Sequence, residues 1–168
     1  MYEITVPQFA KILGNLNLML DKAADYATAR KFDVKVLLNA RLAPNQFHLI
    51  RQVQIATDVA KGLAARLSGQ EPPKYEDNEQ TLEELKARIQ KTIEFLNTVK
   101  AEQFNGWEKR TIAIGFMPGK ALPAPEFAIQ MAIPNFYFHV TTAYAILRHN
   151  GLEIGKNDFL GQLNFRDL

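Results

Sequence analysis

A chain of 168 residues, 47% hydrophobic and 23% charged with a formal net charge of +2, has the composition of an ordinary globular protein and is expected to form one domain over residues 1–168, long enough to bury a core. Near-neutral charge without a dense Lys/Arg cluster argues against a nucleic-acid binder held by phosphate neutralisation. The absence of cysteine excludes disulfides, thiolate metal sites and cysteine nucleophiles. Ser68, the only serine, stands just before Gly69 at an expected helix end, so Ser-His acyl transfer is disfavoured. The start Met1-Tyr2-Glu3-Ile4 lacks a basic region and an apolar run, and no apolar run nears the ~20 residues of a membrane span. A cytoplasmic protein with neither a membrane nor a nucleic-acid partner is expected.

The first helix is expected from residue 5 to about residue 30. Thr5 can cap it and Pro7 falls in its first turn, where a missing N–H costs little. Phe9, Ile12, Leu13, Leu16, Met19, Leu20, Ala23 and Ala27 form one apolar stripe. Asp33 can cap a short helical piece from Val34 to Leu42, which Ala43-Pro44-Asn45 ends. The second helix is expected from Pro44 to Ser68, with Gly69 as its C-terminal cap. Leu49, Ala56, Val59, Ala60, Leu63 and Leu67 share its apolar face with one polar residue, Gln52. Arg51, Gln54, Asp58 and Lys61 fall opposite.

Glu71-Pro72-Pro73-Lys74 reads as an extended linker. Thr81-Leu82-Glu83-Glu84 is a capping box that opens the third helix, whose core stripe is Leu82, Leu85, Ile89, Ile93, Leu96 and Val99. Alternation in Arg110–Phe116 followed by Pro118-Gly119 predicts a small β-hairpin at one end of the bundle. The fourth helix runs from about Pro125 to Asn150-Gly151, with a kink expected at Pro134. A tail, Glu153 to Leu168, follows, anchored by Phe159 and Leu160. Four amphipathic helices with these connections make an all-α four-helix bundle.

The fourth helix carries the chemistry. At 100° per residue Asn135, His139, Thr142 and Asn150 share a face with Ala128, Ala132, Ala143 and Ile146. Small residues beside an imidazole leave room for a ligand, metal or water, or let a second helix approach closely. His139 therefore has two readings. With a partner such as Gln52 it serves as ligand or general base; alone it hydrogen-bonds Asn135 or Gln52 inside the core. Tyr137, Thr141, Tyr144 and Arg148 lie opposite, a face to be covered by the tail, the hairpin or a second subunit. His149, in the last turn, suits the helix dipole. His48 stands near the start of the second helix, either at the surface or reaching a site at that end. Asp58 and Lys61 are spaced as an ion pair, with Arg51 and Arg66 as further partners for Asp58. Glu-x-x-His, His-Glu-x-x-His, Gly-x-Gly-x-x-Gly and Walker patterns are absent.

Phe136–Gly151, Ile154-Gly155-Lys156 and Asp158–Gly161, together with Arg51–Ala56 and Asp77-Asn78-Glu79, resemble an uncharacterised bacterial branch of the DinB-like (YfiT-like) superfamily over nearly the whole chain. The resemblance implies a four-helix bundle with up-down-down-up connectivity, in which the small β-hairpin read above precedes the last helix, and frequently a homodimer. It also implies a divalent metal, zinc or nickel, held by three histidines: one from the second helix and two, spaced by four, from the fourth. His139 matches the second of that pair, Asn135 stands at the first, and the second helix offers Gln52 with His48 one turn earlier. Neutral amide oxygens are poor ligands for such metals. Two functions follow from the resemblance. One is a metal-assisted hydrolase or transferase, with Gln52, Asn135 and His139 catalytic and His139, Asn135 and His48 on the metal. The other is a non-catalytic dimeric protein without the metal, binding a small molecule or serving in stress.

Overall fold

The computed structural model describes residues 1–167. The first stripe folds as α1 (Tyr2–Arg30), which buries all eight of the expected apolar residues from Phe9 to Ala27. Its start differs from expectation. Thr5 does not cap the helix; it lies inside, fully buried, and its hydroxyl donates to the Met1 carbonyl at 2.9 Å. The short piece contracts to α2 (Lys35–Leu38), where the Asp33 carboxylate accepts from the Lys35 N–H at 2.9 Å. The next long helix, α3 (Leu49–Ser68), begins five residues later than Pro44 suggests. The intervening turn is held by its own hydrogen bonds: the Phe47 carbonyl accepts from Gln52 Nε2 and the Leu49 N–H reaches back to the Ala40 carbonyl. Gly69 ends α3 with a left-handed φ of 79°, a conformation open to glycine without Cβ strain.

The capping box opens α4 (Leu82–Thr98): Glu84 N–H donates to Thr81 Oγ1 while Glu84 Oε2 accepts from the Thr81 N–H. Strands β1 (Thr111–Ala113) and β2 (Ala121–Pro123) pair antiparallel with Ile112 opposite Leu122. The hairpin is tied to the C-terminus of α3 through the Arg110 guanidinium, which donates to the Leu67 carbonyl.

The last long helix is built in three parts: α5 (Ala124–Glu126), a π-helical stretch (Phe127–Ala132) and α6 (Ile133–His149). Pro134 has no N–H to give, and its ring collides with the carbonyl one α-turn back. The wider π turns immediately before it absorb both defects, so the expected break takes the form of a change in helical pitch. A further short helix, α7 (Lys156–Leu160), was not legible in the tail. The last residue of that tail, Leu168, lies outside the described residues.

The helix directions follow from cross-contacts. Tyr2 meets Val99 and Asp21 meets Lys86, so α1 and α4 are antiparallel. Gln52 meets His139 and Arg66 meets Phe127, so α3 also runs antiparallel to the last helix. Phe9 stacks on Phe136 and Tyr26 bonds Asn150, so α1 and α6 are parallel. The result is the up-down-down-up bundle, with α3 and α6 forming one wall. Buried residues from all four long helices join one core, including Phe9, Leu16, Leu63, Leu85 and Phe136.

The polar face of α3 and the tyrosine face of α6 are both covered, the second as expected. On α3, Gln54 and Lys61 are buried, because α4 and the linker pack over them. On α6, Tyr137 packs edge-on against Phe9 of α1, and Tyr144 packs against Phe159 of the tail. Among the described residues no helix is long and apolar enough to cross a membrane.

Candidate functional site

Gln52 sits in the first turn of α3 and His139 in the middle of α6, and both side chains turn into the seam between the helices. His139 Nδ1 lies 2.7 Å from Gln52 Oε1. The amide's orientation is set from its other end, where Gln52 Nε2 donates to the Phe47 carbonyl at 2.9 Å. A carbonyl only accepts, so Oε1 is the atom facing the imidazole and Nδ1 must carry the proton. The lone pair is left on Nε2, which has no hydrogen-bond partner among the described residues. Burial, reinforced by the positive field of Arg51, lowers the His139 pKa to about 4. The imidazole is therefore neutral at pH 7.

The other polar residues of this region divide along the groove. Asn135, one turn before His139 on α6, is half-buried and lines a cavity of about 270 Å³. The cavity is walled by Val59 and Leu63 of α3, Phe127 and Met131 of the last helix, and Phe116 of the hairpin turn, and it holds the Arg66 guanidinium. His139 and Gln52 are not part of that lining. His48 caps α3 on the far side of Gln52 and makes no side-chain cap bond. Its pKa is lowered by burial and by the fields of Arg41 and Arg51. Because α3 and α6 run antiparallel, His48 and Asn135 flank the His139–Gln52 contact in opposite directions, about 12 Å apart at 1.5 Å of rise per residue. Thr142, expected on the same face, spends its hydroxyl on the Phe138 carbonyl at 2.7 Å.

This donor set does not fit a three-histidine metal centre. One imidazole lies in the groove, its neighbours are neutral amides, and His48 stands too far along to share one ion with Asn135. Among the described residues no three His, Asp or Glu side chains are grouped so as to hold a metal ion. Arg51, whose field already lowers the His139 pKa, adds positive charge where a cation would have to sit.

A second polar centre escaped the sequence reading. Arg88 of α4 is only 4% exposed. It bonds Asp58 at 2.8 Å, Asp77 at 3.0 Å, Glu79 at 3.0 Å and Thr57 at 2.8 Å. Arg51 bonds Asp77, and Gln54 bonds Glu79. The Tyr75 ring lies under Lys61, Arg88 and Lys91. Asp58 and Lys61 pair as expected, at 2.7 Å, but the further partner of Asp58 is Arg88, not Arg51 or Arg66. Arg88 continues the spacing of Leu85, Ile89 and Thr92, the one signal that could have moved it from the charged face to the core. The network joins the two segments: Arg51 and Gln54 of α3 meet Asp77 and Glu79 of the linker.

The family model for a domain of unknown function, DUF1993, matches residues 1–160. The chain belongs to the DUF1993 family. A crystal structure at 1.83 Å resolution, of a DinB family member protein from Shewanella denitrificans, is 50% identical to this DUF1993 chain. It covers 99% of this chain and 95% of its own length, with a TM-score of 0.94. No curated protein matches the chain. The DUF1993 chain is thus a DinB-like protein with the bundle fold expected of that superfamily.

Proposed function

We propose that this protein binds a small organic molecule in the groove between α3 and α6, without a transition metal. The observation that supports this most is a 270 Å³ cavity with apolar walls and few polar groups, Asn135 and Arg66 among them. That is the usual make-up of a ligand site, in a volume just below the range of about 300–1,000 Å³ common for drug-sized ligands, which suits a small molecule. Gln52 and His139 form the adjoining polar end. With its pKa held near 4 by burial, His139 is poorly matched to general-base work at neutral pH. Its free Nε2 is a hydrogen-bond acceptor for a ligand or a water.

Ligand-observed NMR with a fragment library tests the reading. Binders are expected for the native protein, and they are lost in Val59→Trp, which fills the groove. Fragments that bind both proteins equally would reject it.

The second reading, a metal-assisted hydrolase or transferase, has one observation in its favour: the unprotonated Nε2 of His139 is the form a metal requires. Elemental analysis of protein purified without a His-tag separates the two. Zinc, nickel or iron at one per chain, lost in His139→Ala, favours the enzyme. No retained metal after incubation with excess favours the metal-free binder.

A homodimer belongs to the proposal as well. Phe47 and Phe138 are 56% and 57% exposed, and both adjoin the His139–Gln52 contact, so an apolar surface is available where a second copy would also close the groove.

A further inference from the structure

Arg66 lies in the last turns of α3, half-buried in the wall of the cavity. Its guanidinium forms no ion pair or hydrogen bond with any described residue and rests 6.0 Å from the centre of the Phe127 ring. Burial lowers its pKa, and the field of Glu71, an exposed linker residue, works against that shift. The neighbouring carboxylate of the cavity, Asp58, is already held by two cations, Lys61 at 2.7 Å and Arg88 at 2.8 Å. The backbone beneath Arg66 is also shaped for it. Gly62 stands one turn earlier, in the middle of a buried helix, and a Cβ there would lie 2.5 Å from Arg66 Nη1. The missing side chain is the space into which the guanidinium folds.

A half-buried guanidinium with no direct protein acceptor, set in a largely apolar cavity wall, is a candidate anion site: its five N–H donors are open, and the low-polarity walls strengthen its attraction for a partner. We propose that the cavity takes a small organic carboxylate, its carboxylate on Arg66 with the Asn135 amide as the second polar contact, and its apolar body against Val59, Leu63 and Met131. The planar fork pairs with carboxylate and phosphate alike; a carboxylate is preferred because one guanidinium and one amide satisfy its two oxygens and single charge but leave part of a phosphate's three oxygens and second charge unmatched. This deepens the small-molecule reading above and rests on it.

The test is a titration followed by amide NMR at Gly115 and at the Asn135 side chain, with octanoate as probe and octan-1-ol as its uncharged counterpart. Octanoate is expected to shift both signals saturably and to bind roughly tenfold or more tightly than octan-1-ol. Arg66→Met is expected to remove that difference. Gly62→Ala keeps the arginine but displaces its guanidinium, and is expected to weaken octanoate while leaving octan-1-ol unchanged. It decides the matter if Arg66→Met folds poorly. Equal affinity for the two probes in the native protein, or tighter binding of octylamine than of octanoate, overturns the carboxylate assignment while the small-molecule reading stands. If neither octanoate nor octan-1-ol shifts these signals, both fall.

Discussion

His139 enters the fold as a neutral ring, and that has a consequence for stability. Its pKa is about 4 in the fold against an ordinary histidine value of 6.5. Between those values the unfolded chain binds more protons than the folded one, so stability rises with pH across the window. It is complete above 6.5, where both states are neutral, and it is lost as pH falls towards 4. The melting temperature is therefore expected to fall from pH 7 to roughly pH 4.5, with a slope of up to about 1 kcal/mol per pH unit from this residue. His139→Gln should flatten the profile. It should not abolish the slope, because the pKa of His48 is lowered in the same direction. A profile unchanged by the substitution would show that the ring is not held neutral by its surroundings. Gly62 makes the complementary point. A mid-helix glycine costs about 1 kcal/mol relative to alanine, and here the space it leaves is occupied by Arg66.

At the scale of elements, the Arg88 clamp decides where the linker goes. Residues 71–80 form no helix or strand, yet Asp77 and Glu79 are drawn onto α3 and α4 by Arg88, Arg51 and Gln54. The linker connects two parallel helices, so it must travel the length of the bundle, and the clamp holds it on the way. Arg88→Met leaves Asp58, Asp77 and Glu79 without their shared cation. Asp58 keeps Lys61 and Asp77 keeps Arg51, and both are about a third exposed, so the loss is expected below that of a fully buried pair, at about 2–3 kcal/mol, measured by urea denaturation. Hydrogen exchange should speed up in residues 75–80 before any change appears in α1. A loss under about 1 kcal/mol would mean that the clamp behaves as an exposed surface pair.

For the whole molecule, the tyrosine face bears on assembly. Tyr144 is covered by Phe159, and the tail is tied down by Lys22 to Asp158 at 2.6 Å and by Asn15 to the Phe159 carbonyl at 2.9 Å. The chain closes this face on itself, so a dimer built there would first have to strip the tail away. Sedimentation velocity checks the alternative. Native protein is expected as a dimer and Phe138→Asp as a monomer, whereas Tyr144→Ala leaves the mass unchanged and lowers the melting temperature. A monomeric native protein would reject the dimer.

The sequence by itself determined the local elements. The stripes of α1, α3 and α4, the capping box at Thr81, the Gly69 stop and the hairpin around Pro118-Gly119 all follow from spacing and turn chemistry, which act within a few residues. Gln52 was also legible as a partner for His139, because it is the one polar residue on the apolar face of α3 and His139 stands on the inner face of the last helix. Only the tertiary structure decided the rest. The burial of Arg88 and the cavity beside Arg66 depend on residues more than twenty positions apart in the chain, and the late start of α3 and the tail over Tyr144 depend on contacts beyond one helical turn that spacing alone does not reveal. Helical periodicity says that a face is polar. Whether that face meets water or a buried clamp is set by the element packed against it.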